Sequence, residues 1–218
     1  MDPSAPDDET RDRARRTRRL EIFATVLLSA ATVLTAWSAF ESTKWSGVQA
    51  TRFSQASATR TESVRASTAA GQQTVADVTV FTAWLTATDE GRTHLAGLLE
   101  ARFEGEFKVA FDAWQRTSPL TNSAAPATPF ATPQFEQASA RRATELEALA
   151  STQFTQATQA NQRADNYVLM TVLFALVLFF GAIATRFESR AVGVSMLTIG
   201  AVVFVVATAI TATFPVEF

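Results

Sequence analysis

The chain has 218 residues, 47% hydrophobic letters, a formal net charge of −2, one histidine and no cysteine. The missing cysteine excludes disulfides, thiol catalysis and thiolate metal sites, and the near-neutral charge gives no global sign of nucleic-acid binding. The hydrophobic letters are segregated: three runs are almost purely apolar, while the middle is rich in Ala, Ser, Thr and Gln. That pattern predicts an all-α membrane protein with three transmembrane helices and a long helical stalk outside the membrane.

Residues 1–20 read as a disordered, Arg-rich cytoplasmic tail in which Arg13, Arg15, Arg16, Arg18 and Arg19 form a basic cluster. Residues 21–40 read as the first span. Its core, Ile22 to Phe40, carries no charge over about 19 residues, close to the ~20 that cross a bilayer. Glu41 and Lys44 are the first charges beyond it, between Trp37 and Trp45. The two rings lie about 12 Å apart along a helix and, with Tyr167, read as interfacial anchors. A cleaved signal peptide is the alternative, but the run exceeds the usual signal core of about 7–15 residues.

Residues 41–166 read as the extracytoplasmic domain. No proline occurs between Pro6 and Pro119, and Gly47 alone costs a helix only about 1 kcal/mol. The first helix is therefore expected to continue through 41–88, with bends at Gly47 and Gly71. Asp89-Glu90-Gly91 reads as a turn, and Thr93 as the cap of a second helix, 93–117. There Leu95, Leu98, Leu99, Phe103, Phe107, Phe111 and Trp114 recur at helical spacing. They are expected to pack on Phe81, Trp84 and Leu85 as the main water-excluded core. The proline-rich segment 118–132 reads as a surface loop, with Thr132 capping a third helix, 133–166, and Pro133 at its first position. Small residues at heptad-like intervals along that helix suit close helix packing of the coiled-coil kind.

Residues 167–185 and 191–214 read as the second and third spans, joined by a cytoplasmic turn at 186–190, with 215–218 outside. Arginines in the tail and in the short turn fall on one side of a three-span topology, which places the N-terminus in the cytoplasm. In the third span Thr198, Thr208, Thr211, Gly193 and Gly200 read as packing positions that would otherwise line a pore.

Chemistry is sparse. His94 and Glu90 lack a third metal ligand, and no nucleophile turn or phosphate-cradling glycine loop occurs. Asp77, Glu100, Glu104, Glu106 and Asp112 read as solvated helix carboxylates. No catalytic residue, metal site or cofactor is expected. The expected partners are membrane lipid and either further copies of the chain or another membrane protein, not nucleic acid. A sensor or transport accessory binding a ligand in the outer helices, and a subunit of an oligomeric channel, are the alternative functions.

The segments WSGVQA, RFEGEFKVAFDAW, NSAAPATPF and YVLMTVLFALVLFF together resemble a group of small bacterial membrane proteins with no assigned activity. The resemblance covers most of the chain beyond the tail. It implies a bacterial cytoplasmic membrane and the topology above, and carries no site residues.

Overall fold

A computed structural model describes residues 8–187 and 189–217. Among these the fold is all-helical. In order come α1 (Asp8–Asp89), α2 (Thr93–Glu100), α3 (Gly105–Gln115), a short 3₁₀ turn (Pro129–Ala131), α4 (Ala138–Ala184) and α5 (Arg190–Thr211). α1, α4 and α5 each contain a stretch long and apolar enough to cross a membrane.

α1 is one helix of 82 residues, unbroken at Gly47 and Gly71. From Asp8 onward the expected disordered tail is helical, because nothing between Asp8 and Asp89 interrupts the hydrogen-bond ladder; residues 1–7 lie outside the described set. Its many threonines would ordinarily weaken a helix by offering the backbone other bonds. Here they donate to the carbonyl four residues back instead, as in Thr35 to Ala31, Thr68 to Val64 and Thr82 to Val78. The stop is a Schellman closure. Gly91 is left-handed at φ +67°, the Arg92 N–H donates to the Ala87 carbonyl at 2.8 Å, and the Gly91 N–H donates to Thr88 at 3.1 Å.

The chain divides into two compact units. In the first, residues up to Arg52 and from Thr155 onward, α1, α4 and α5 pack through apolar clusters. One contains Ala24, Leu27, Ala31, Val177 and Leu197; another contains Met170, Phe174 and Ala207. Buried positions on α4 follow three-and-four spacing: Ala157, Ala160, Ala164, Tyr167, then Phe174 and Val177. Two glycines hold α5 against α4. A Cβ on Gly193 would lie 2.8 Å from the Ala184 carbonyl oxygen, and one on Gly200 would meet Phe180 at 3.4 Å.

In the second unit, 53–154, α1 and α4 run antiparallel. Ion pairs join Arg60 to Glu147 at 3.1 Å and Arg142 to Glu62 at 3.8 Å, and Phe53 meets Phe154 edge-on at 5.3 Å. Small residues fill the seam: Ala56, Ser63 and Ala70 on α1, and Ala143 and Ala150, with Leu146 between them, on α4. The backbones come close enough for the Ser63 hydroxyl to donate directly to the Ala143 carbonyl at 2.8 Å.

Two expected boundaries move. The helix expected over 93–117 is split into α2 and α3. Glu104 is extended and Gly105 takes φ +54°, a conformation that breaks a right-handed helix. The third helix starts at Ala138, not 133. Thr132 is extended, and its hydroxyl donates to the Pro129 carbonyl at 2.7 Å rather than capping a helix. The first N–H of α4 is met instead by the Glu106 carboxylate of α3 at 3.2 Å.

Candidate functional site

The second unit ends in an aromatic cluster. Phe81 and Trp84 of α1 meet Phe107, Phe111 and Trp114 of α3, with Phe103 from the preceding turn. Phe111 is fully buried. Its ring lies 4.6 Å from Phe103 and 4.9 Å from Trp84, both edge-to-face, the geometry that aromatic quadrupoles favour. Two rings, one in the proline-rich segment and one just beyond it, complete the cluster. Phe130 stacks on Phe107 at 5.1 Å with an interplanar angle of 13°, and Phe135 meets Phe130 at 5.0 Å. The Trp114 indole N–H donates to the Pro126 carbonyl at 2.7 Å, fastening the same segment down.

Three expected core residues lie elsewhere. Leu85, Leu95 and Leu98 are exposed, and Leu99 is only partly buried. The break at Gly105 turns α2 away from the face that α3 buries, so from α2 only Ala96 is fully inside and Leu99 packs at its edge. Leu95 and Leu99 instead line a shallow groove between α1 and α2, with Val78, Thr82, Thr86 and Arg92. A second cleft, about 290 Å³ in volume, opens beside Trp84, Trp114, Pro119 and Leu120.

The carboxylates are placed for structure. Asp77 is half-buried and receives the Gln73 amide at 2.9 Å. Burial holds its pKa above the usual carboxylate value; the Glu106 charge adds to the rise and the Gln73 bond opposes it. Lys108 pairs with Asp112 and Arg92 with Glu90, and His94 is exposed. Among the described residues no group of three His, Cys, Asp or Glu side chains could hold a metal ion.

The first unit holds a polar clasp that composition and periodicity did not reveal. Trp45 and Tyr167, expected at the lipid interface, are buried, and both donate to the Pro215 carbonyl at 3.2 Å. Their polar tips turn inward because the chain after α5 folds back over them, with Phe214 edge-on to Tyr167 at 5.3 Å. The Arg163 guanidinium lies 4.5 Å from the Trp45 ring centre. Glu41 is buried and accepts the Glu217 N–H at 3.1 Å. Trp37, in contrast, is exposed. Arg13, Arg15, Arg16, Arg18 and Arg19 all lie in α1, with Arg15, Arg18 and Arg19 exposed. In α5, Thr198 and Thr211 donate to their own helix carbonyls at 2.8 Å, while the Thr208 hydroxyl oxygen is buried with no partner among the described residues.

The chain matches no protein-family model, no curated protein and no solved structure.

Proposed function

We propose that this is a non-enzymatic membrane protein that works by binding. Its three apolar helices span a bacterial cytoplasmic membrane, with the N-terminus inside and residues 41–166 outside. The outer helices engage a further copy of the chain or another membrane protein. The observation that carries this reading is the α1–α2 groove, where Val78, Leu95 and Leu99 form an apolar floor and the neighbouring Leu85 and Leu98 are also exposed. Grouped apolar side chains left in water mark interaction surfaces more often than solitary ones do. Mass measurement of the full chain in mild detergent tests it. The expected result is a mass above one chain, or a stoichiometric copurifying protein; a bare monomer contradicts it.

Orientation is tested separately. Ser57 and Ser151 are both exposed, and the chain has no native thiol. Single cysteines at these positions are expected to react with an impermeant reagent on intact cells, and reaction only after lysis inverts the topology.

The cleft beside Trp84, Trp114 and Pro119 favours a second reading, a ligand sensor or transport accessory. Its volume sits at the lower edge of the roughly 300–1,000 Å³ typical of small-molecule sites. A metabolite screen read by tryptophan fluorescence checks it, since two of the four tryptophans line the cleft.

A further inference from the structure

The outward side of α1 in the second unit is unusual for a helix in water. Between Arg65 and Asp89 its only charged residue is Asp77, which turns inward toward Glu106. The helix packed against it is not like this: α4 carries Arg141, Arg142, Glu145 and Glu147, all exposed, in two turns. The uncharged side of α1 also has a register. Val64, Thr68, Gly71, Val75, Val78, Thr82 and Leu85 alternate at four and three residues, and all seven are exposed. The threonines do not make this strip polar. Thr68 and Thr82, and their neighbours Thr79 and Thr86, each donate their hydroxyl to the carbonyl four residues back, at 2.7–3.0 Å. With the hydroxyl proton committed to the helix's own backbone, the strip offers a partner mostly methyl groups.

A strip with this spacing matches another helix, because the 3.5-residue repeat keeps one face aligned with a partner over several turns. Resting on the membrane-anchored reading above, we propose that the partner is the same strip of a second copy, so that two chains pair through α1 in parallel. Three observations select this occupant. α1 is uninterrupted from Asp8 to Asp89, so two copies inserted with one orientation present the strip in the same direction. In a parallel pair each residue faces its own counterpart, and a strip without charge pays no like-charge repulsion for that. At the centre of the strip a Cβ on Gly71 would have nothing within 4 Å, which leaves that side of the helix open to close approach by another backbone.

The strip is about 32 Å long and, at helix width, covers roughly 320 Å² in projection. A free-standing complex needs about 800 Å² per partner. The strip alone is therefore a weak interface, and confinement of both chains to one membrane supplies the effective concentration that it lacks.

Single cysteines introduced into the full-length chain and oxidised in native membranes test the proposal directly, because a disulfide needs Cα atoms within about 7 Å. Cysteine at Val64, Gly71, Val75, Val78 or Leu85 is expected to give at least about tenfold more disulfide-linked dimer than cysteine at Ala69 or Ala76, which are exposed on another side of α1. Gly71→Leu supplies the second arm. The open space around Gly71 and the better helix propensity of leucine predict a thermal midpoint for the fold that is unchanged or slightly raised, and loss of the Val75 crosslink. Equal crosslinking at both sets of positions, no crosslinking at all, or a Val75 crosslink that survives Gly71→Leu each overturns the pairing. A detergent mass above one chain without seam crosslinks refutes this seam and leaves the partner-binding reading in place; a bare monomer in detergent together with no seam crosslinks in the membrane removes both.

Discussion

Phe111→Ala probes the aromatic cluster most directly. The ring is fully buried and sits between Phe103 and Trp84, within 5 Å of each. Truncating a buried phenylalanine to alanine costs about 3–5 kcal/mol, the sum of lost transfer energy and the cavity left behind. A unit of the size of 53–154 has a total stability of roughly 5–15 kcal/mol, so the loss is about a fifth of it or more. For a domain this small each kcal/mol moves the midpoint by about 4–8 °C, giving an expected fall of at least 12 °C. The assay is thermal unfolding of the full chain in detergent, followed by tryptophan fluorescence, because Trp84 and Trp114 are in contact with the deleted ring. Val109→Ala on the same helix is the control. That side chain is 57% exposed, and its loss is expected to stay within about 0.5 kcal/mol. If the two variants unfold at the same temperature, the cluster is not the core of this unit.

Asp77→Asn is expected to change the pH dependence of the same transition. The folded-state pKa of Asp77 is raised, so proton binding favours the fold: the contribution is complete below the unfolded value and disappears as pH rises through the folded one. The asparagine variant is therefore more stable than the parent at pH 7, by no more than about 1 kcal/mol given solvent screening, and the difference closes near pH 3.5, as parallel melts at the two pH values will show. Gly91→Ala forces a side chain into φ +67° and is expected to cost about 1–2 kcal/mol in the same melts, unlike Gly97→Ala, which has a negative φ and open space. Ser63→Leu overfills the close α1–α4 seam and removes the bond to Ala143, an expected loss of about 2–4 kcal/mol by chemical denaturation, whereas Ser63→Ala loses only about 1.

Much of the architecture was legible because apolar length and helical spacing are local properties. The three long apolar stretches, the turn at Gly91 and the convergence of Phe81, Trp84, Phe107, Phe111 and Trp114 all follow from them. The misplacements in α2 share one cause. Periodicity assigns a face to a helix but cannot show that the helix is interrupted. Gly105 sits inside the FEGEF segment as an ordinary glycine, and nothing in the spacing reveals that α2 ends at Glu100 with an extended Glu104 and a left-handed Gly105 before α3. The places that Leu95 and Leu98 were expected to take are filled by Phe130 and Phe135, which lie in and just beyond a proline-rich segment where no regular spacing exists to be read. The clasp around Pro215 was hidden for a related reason. It joins residues 170 positions apart through a backbone carbonyl, which carries no sequence signature.

The contact between Gly193 and the Ala184 carbonyl offers an unusual experimental handle. Most substitutions that disturb helix pairing in apolar segments also alter how strongly those segments partition into lipid. Here one added methyl collides with backbone rather than with a yielding side chain, so Gly193→Ala should wedge α5 from α4 while leaving the oiliness of either helix nearly untouched. Packing of this pair can thus be interrogated independently of how apolar either helix is.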